Sequence, residues 1–138
     1  MTDPAASGVL VDSNVLLDLF TEDPTWASWS EQQLADAFDA GQVVINPLVY
    51  AEISVAFERI ETLEHALPAR LEREHLPWEA AFLAGKCFIE YRRRGGPRRS
   101  PLPDFYIGAH AAVSGRALLT RDTQRYRTLL PALTLISP

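Results

Sequence analysis

The chain has 138 residues, of which 47% are hydrophobic and 22% charged, and it carries a formal net charge of −5 at pH 7. This length and composition predict one globular domain with room for a single core, and the acidic balance argues against a general nucleic-acid-binding surface. A lone cysteine excludes an intramolecular disulfide, and the lack of a signal-peptide pattern or of an apolar run near the ~18 residues that span a bilayer predicts a cytoplasmic protein without a membrane segment.

Short apolar runs rich in β-branched residues alternate with helical segments in the first half of the chain. The run GVLVD at 8–12 is predicted to be a buried strand, followed by a short helix at 14–20. A longer helix at 25–40 begins after a proline and ends before a glycine. QVVIN at 42–46 is predicted as the second strand, and a helix at 47–59 follows because proline is tolerated in a first turn.

The same alternation continues in the second half. The predicted elements there are helices at 61–75, 78–94, 104–114 and 123–130 and strands at 116–120 and 133–137. Cys87 lies in an apolar helical stretch, where we expect a buried and inert thiol. Because strands and helices alternate, we expect a short parallel sheet between helices, an α/β fold of the three-layer α/β/α sandwich type, formed by residues 1–138 as a single domain.

Four acidic residues fall where the predicted strands and helices meet. Asp12 and Asp122 each close a strand and precede a helix, and Asp104 opens a helix. Glu52 lies on the helix after the second strand, and its neighbours three and four positions away are all apolar, so it faces the core or a cleft. Because ligands bind outside the carboxyl ends of parallel strands, we expect all four carboxylates at one edge of the sheet.

Each of these residues also has an ordinary interpretation. An aspartate at a helix start is a common cap, and Glu52 could be a buried glutamate paired with an arginine. However, four carboxylates that converge without a cation repel one another, and at least one must stay protonated. Mg²⁺ or Mn²⁺ prefers such oxygen ligands, so the joint pattern favours a metal centre. We expect the three histidines to be structural or solvated.

One loop departs from the acidic character of the chain. Five of its 13 basic residues fall in an eight-residue window: Arg92, Arg93, Arg94, Arg98 and Arg99. The glycines in this window give the loop conformational freedom. Its arginines favour a contact with an anion, since arginine pairs well with phosphate and stacks on bases. The alternative is a solvated loop, which charge runs often are.

Four segments, taken in order, resemble a known family over essentially the whole chain: VDSNVLLDLF at 11–20, NPLVYAEI at 46–53, RRRGGPRRSPLPDFYIGAHA at 92–111 and LLTRD at 118–122. The D-S-N and T-R-D motifs are weak singly, so the signal rests on their order, their spacing and the long match at 92–111. The chain resembles PIN-domain ribonucleases, and most closely the VapC-like toxins of bacterial type II toxin–antitoxin pairs.

This resemblance implies a metal-dependent endoribonuclease with Mg²⁺ or Mn²⁺ as cofactor and RNA as substrate. The implied acidic quartet is Asp12, Glu52, Asp104 and Asp122, and the implied supporting groups are Ser13, Asn14 and Thr120. The resemblance also implies a homodimer and a VapB-like antitoxin that blocks the active site. The alternatives are a non-catalytic RNA- or protein-binding module with the same fold and a phosphatase of small phosphate esters. The arginine-rich loop favours a polyanion over a small ester.

Overall fold

A computed structural model describes residues 8–97 and 102–138. Its centre is a five-stranded parallel sheet with the strand order β3-β2-β1-β4-β5. The first strand of the chain lies in the middle, where Val9 pairs with Val43 on one side and with Ala117 on the other. The strands are β1 (Val9–Val11), β2 (Val43–Ile45), β3 (Glu72–Arg73), β4 (Ala117–Leu119) and β5 (Leu135–Ile136).

Helices connect and cover the strands, which confirms the predicted α/β sandwich around a short parallel sheet. Within the described ranges, no helix has both the length and the apolar character needed to cross a membrane. The helices are α1 (Ser13–Phe20), α2 (Ala27–Ala40), α3 (Pro47–Ile53), α4 (Ile60–Ala66), α5 (Trp78–Arg93), α6 (Pro103–Val113) and α7 (Gln124–Leu129).

The core is built on the three central strands, whose residues are all buried. Because helices cover both faces of a parallel sheet, its strands read as continuous apolar runs rather than as alternating patterns. A second apolar cluster joins α5 to α6 through Ala84, Phe105 and Ala109. Cys87 belongs to this cluster and is buried, as predicted.

The predicted helix at 61–75 is wrong over its second half. Helix α4 ends at Ala66, and Leu67 adopts an extended conformation because it precedes Pro68. The chain then forms β3, which pairs with Val44 and Ile45 at the edge of the sheet. Both β3 residues are exposed, so this strand has no apolar run by which sequence could reveal it.

The other differences concern element ends. The predicted helix at 47–59 ends at Ile53 and continues only as a 3₁₀ turn, Ser54–Ala56. The Ser54 hydroxyl donates to the carbonyl of Tyr50 at 2.7 Å, and a serine bonded in this way competes with the helix ladder. Helix α2 begins at Ala27 rather than at 25, and the carboxylate of Asp23 accepts the N–H groups of Thr25 and Trp26 in the turn before it.

Candidate metal centre

Asp12 lies at the junction of β1 and α1 and is 3% exposed. Its Oδ1 accepts from the backbone N–H of Ser13 at 2.8 Å, so it does cap α1 as a short aspartate can. Its Oδ2 accepts from the hydroxyls of Thr120 and Tyr126, at 2.9 and 3.0 Å. The cap and the candidate ligand are therefore the same carboxylate, and the two interpretations of this aspartate are compatible.

Asn14 and Thr120 join the carboxyl ends of the neighbouring strands β1 and β4. The Asn14 amide Nδ2 donates to Thr120 Oγ1 at 3.2 Å, and Asn14 Oδ1 accepts from the backbone N–H of Arg121 at 3.1 Å. Thr120 is fully buried and also accepts from the N–H of Asp122 at 3.0 Å. The two residues thus position Asp12 and the loop after β4 relative to each other.

Glu52 and Asp104 approach Asp12 from two other elements. Glu52 lies on α3, is half-buried, and its Oε1 accepts from the Ser13 hydroxyl at 2.9 Å. Asp104 lies in the first turn of α6. One carboxylate oxygen from each of Asp12, Glu52 and Asp104 lies within 4.8 Å of the other two. Three of the four predicted acidic residues are therefore brought together.

Asp122 does not join that three-residue group, and its side chain is exposed. Its backbone N–H is fixed by Thr120, whereas its carboxylate lies near enough to Asp104 to raise the pKa of that group. The structure therefore places Asp122 beside the cluster rather than in it, and its role as a ligand stays a prediction.

Burial raises the pKa of all three clustered carboxyl groups. Desolvation raises the pKa of Asp12 to about 6 even though Thr120 and Tyr126 donate to it, and the charge of Asp104 adds to the rise. The pKa values of Glu52 and Asp104 are also raised, first by burial and then by neighbouring carboxylates. A close set of oxygen donors that resists holding three negative charges fits a divalent cation with oxygen ligation.

Tyr126 and Arg125 on α7 complete the surroundings of the cluster, and the sequence reasoning missed both. Burial and the charge of Asp12 raise the pKa of the Tyr126 hydroxyl, which therefore stays a proton donor. Arg125 donates from Nη1 to Asp104 Oδ2 at 2.6 Å. A signal was present for Tyr126, since it is the one aromatic residue in the polar stretch QRYRT at 124–128.

An ion pair between a partly exposed arginine and a buried aspartate anchors the loop after β4. Arg121 donates from Nε and Nη2 to the two oxygens of Asp18, at 2.7 and 2.8 Å. The Ser30 hydroxyl donates to the same carboxylate at 2.6 Å, and the guanidinium lies 5.2 Å from the ring centre of Trp26. The loop that carries two of the predicted site residues is thereby fixed to α1 and α2.

His110 belongs to a second buried network that connects α3 to α6. Its Nδ1 lies 3.0 Å from the amide nitrogen of Asn46, and its Nε2 lies 3.2 Å from Glu74. Asn46 caps α3 through the N–H of Val49. Burial lowers the pKa of His110. It is a structural residue, as expected, and it connects the helices that carry Glu52 and Asp104.

The described part of the arginine-rich window surrounds the C-terminal end of α5. Arg92 donates to the carbonyl of Gly96 at 3.2 Å. Arg93 and Arg94 both contact Glu90, at 3.8 and 2.9 Å. Cations at this end of a helix are favoured by its dipole. Arg98 and Arg99 lie outside the described residues.

Comparison with known proteins gives a family and a fold. The sequence model of the PIN domain family matches residues 9–128. The chain has the fold of VapBC2 from Rickettsia felis bound to a DNA fragment from its promoter, with a TM-score of 0.73, 18% identity, and coverage of 94% of this chain and 98% of that one.

Two further structures have the same fold. For DNA-bound VapBC from Salmonella typhimurium, the TM-score is 0.68 at 19% identity, with coverage of 94% of this chain and 97% of that one. For a toxin–antitoxin complex from Klebsiella pneumoniae, the TM-score is 0.67 at 22% identity, with coverage of 94% and 96%. No curated protein matches the chain significantly in sequence.

Proposed function

Because the chain belongs to the PIN-domain family, we propose that it is a metal-dependent endoribonuclease and the toxin of a toxin–antitoxin pair. The observation that carries this proposal is the approach of Asp12, Glu52 and Asp104, from three separate elements, to within 4.8 Å of one another. The shared fold with chains of VapBC complexes supports the toxin role. In this proposal residues 1–138 form one nuclease domain.

The acidic residues have two roles. Asp12, Asp104 and Asp122 hold Mg²⁺ or Mn²⁺ directly or through water, and Glu52 either binds the ion or orients the attacking water. A divalent ion supplies Lewis acidity, which stabilises charge on the phosphate oxygens and makes the attacking water more acidic. The exposed position of Asp122 suits contact through water.

Neighbouring polar groups hold the carboxylates in place. Thr120 and Asn14 fix the orientation of Asp12, with the Thr120 hydroxyl donating to its Oδ2 at 2.9 Å. The Ser13 hydroxyl does the same for Glu52 at 2.9 Å. Such hydrogen bonds around ligands typically contribute 10–100-fold to metal affinity or activity.

The arginine-rich window is proposed to contact RNA. Arginine pairs with phosphate through several N–H groups, and the described arginines at the end of α5 lie on exposed surface. The proposed RNA-contacting residues are Arg92, Arg93, Arg94, Arg98 and Arg99. The other proposed partners are a second copy of the chain and a VapB-like antitoxin, and the proposed location is the cytoplasm.

One observation favours a second candidate, a non-catalytic binding module. Arg125 already pairs with Asp104 at 2.6 Å, so a guanidinium can neutralise part of the acidic centre without an ion. In such a module the cleft would hold an arginine of a partner. The two candidates differ in whether RNA is cut.

The deciding experiment is to incubate the purified chain with total RNA in Mg²⁺, in Mn²⁺ and in chelator, and to sequence the cleaved ends. We expect cleavage only with metal, and none from the variants Asp12→Asn and Asp104→Asn. Asp39→Asn, an exposed aspartate on α2, is the matched control and should cleave normally. Cleavage in chelator, or metal-dependent cleavage by both site variants, would contradict the proposal.

A further inference from the structure

A cavity of about 420 Å³ lies next to the acidic centre, between the C-terminal end of α5 and helix α7. This volume is in the range of ligand pockets. The lining residues that matter here are Tyr91 and Arg94 from α5 and its end, and Asp122, Gln124 and Arg125 from α7 and the loop before it.

Two cations face this cavity. Arg125 is 39% exposed in its side chain and contacts Asp104 through Nη1 alone, so its other N–H groups remain for a further partner. Arg94 is 53% exposed and is paired with Glu90 through Nε. Asp122 is the one carboxylate among the described residues that line the cavity. An anion that enters here depends on the two guanidinium groups to offset that charge.

An aromatic ring forms part of the same wall. The ring of Tyr91 meets Phe105 edge-on at 5.4 Å and stacks near Phe88 at 6.4 Å. A Cβ at Gly96 would lie 2.2 Å from this ring, so the loop approaches it as only a glycine can. A fixed aromatic ring beside guanidinium groups is the combination on which unpaired nucleobases stack while their phosphates are bound.

We propose that this cavity binds the RNA nucleotide next to the cleaved phosphodiester, with its phosphate on Arg125 and Arg94 and its base against Tyr91. The inference rests on the proposed ribonuclease function and adds a binding site to it. Arg125 can hold Asp104 through Nη1 and the phosphate through its remaining N–H groups. RNA affinity in the cavity and cation affinity at the acidic centre are therefore linked through one side chain.

The test uses the full chain and a fluorescently labelled, single-stranded RNA of randomised sequence. RNA binding is measured by polarisation in the Asp12→Asn background, so that the RNA stays intact. There we expect Arg125→Gln to lower RNA affinity about tenfold, as for loss of a charge-assisted contact, and to reduce the salt slope by about one. Arg94→Gln should lower it less, because Arg94 shares its charge with Glu90.

Arg127→Gln is the matched control, since Arg127 is exposed on the same helix but does not line the cavity. It should change RNA affinity by less than about twofold, as expected for a single exposed charge. Mn²⁺ affinity, measured by calorimetry with Asp12 intact, should stay the same or rise in Arg125→Gln because a competitor for Asp104 is removed.

Three outcomes would overturn the inference: equal losses of RNA affinity in Arg125→Gln and Arg127→Gln, RNA affinity unchanged in Arg125→Gln, or weaker Mn²⁺ binding in Arg125→Gln, as expected of a simple brace for Asp104. Failure of the proposed function is recognised separately. If the chain binds RNA through Arg125 but cuts none with either metal, the proposed nuclease activity is wrong and the cavity stands only as an RNA-binding site. If it cuts RNA but binds it independently of Arg125, the cavity alone is wrong.

Discussion

Asp18 and the acidic centre both lie next to the loop after β4, but they differ in how far cations neutralise their carboxylates. Asp18 is 2% exposed, yet it accepts two hydrogen bonds from Arg121 and one from Ser30. The acidic centre also gathers carboxylates, but among the described residues its one cationic contact is the partly exposed Arg125. The difference separates a neutralised ion pair from a cluster in which the described residues supply one cation for three carboxylates.

The largest effect is expected from breaking the satisfied pair. Arg121→Ala leaves Asp18 buried without its cation and should lower the free energy of unfolding by about 3 kcal/mol, as for broken buried ion pairs. Urea denaturation measures this, with Arg127→Ala as a control expected to stay within about 0.5 kcal/mol. Equal stability of the two variants would show that the pair contributes no more than a surface charge.

The second-largest effect on stability should come from adding a divalent cation to the cluster of Asp12, Glu52 and Asp104. If the proposed metal centre is correct, Mn²⁺ should raise the unfolding free energy of the chain by about 2.7 kcal/mol when free ion exceeds the dissociation constant about 100-fold. Thermal unfolding with Mn²⁺ and with chelator measures the shift. Glu52→Gln should reduce it and Asp39→Asn should not. A full shift in Glu52→Gln would remove Glu52 from the proposed ligands.

A smaller effect concerns pH in chelator. The folded pKa of Asp12, about 6, lies above its ordinary value of 3.8, so its contribution to stability is complete below 3.8 and is lost as pH rises through 6. Between pH 5 and 8 this amounts to about 1–2 kcal/mol. The lowered pKa of His110 acts in the opposite direction, because a histidine buried as the neutral form loses stability as pH falls.

The comparison of wild type with Asp12→Asn removes the Asp12 contribution together with its coupling to Asp104, whereas His110 is present in both proteins. Unfolding free energies in chelator at several pH values provide the measurement. The free energy of unfolding of the variant should rise relative to that of the wild type as pH rises from 5 to 8. A difference that does not change with pH would mean that the carboxyl of Asp12 titrates normally.

The smallest effect is expected at Arg125. Its pair with Asp104 is 39% and 23% exposed in the two side chains, and Arg125→Ala should change the free energy of unfolding by less than about 1 kcal/mol. The same denaturation series as for Arg121→Ala measures it. A loss of unfolding free energy as large as that of Arg121→Ala would mean that the two ion pairs contribute equally to stability. Arg125 would then be a structural residue rather than one available to bind RNA.

The sequence predicted those parts of the site that depend on residues close together in the chain. Asp12 and Asp104 were placed correctly at element junctions because buried strands and helix starts have strong local signals. The inward face of Glu52 was evident from its apolar neighbours, and the structure shows this residue half-buried and bonded to Ser13.

Sequence could not predict contacts between distant segments. The hydroxyl of Tyr126 and the guanidinium of Arg125 reach Asp12 and Asp104 across 114 and 21 positions, and neither distance follows from local pattern. The strand β3 was missed for a related reason: its pairing with β2 comes from sheet geometry, while its own residues are polar and exposed.

The central place of β1 has a consequence for synthesis of the chain. This strand leaves the ribosome well before its neighbour β4, and before the Asp12 partners Thr120 and Tyr126, which follow Asp12 by 108 and 114 positions. Pairings between such remote segments form slowly and late. A nascent polypeptide that ends before β4 and α7 therefore has an incomplete sheet and lacks the hydroxyl groups that hold Asp12, and the proposed cleavage activity should arise only after α7 has been made.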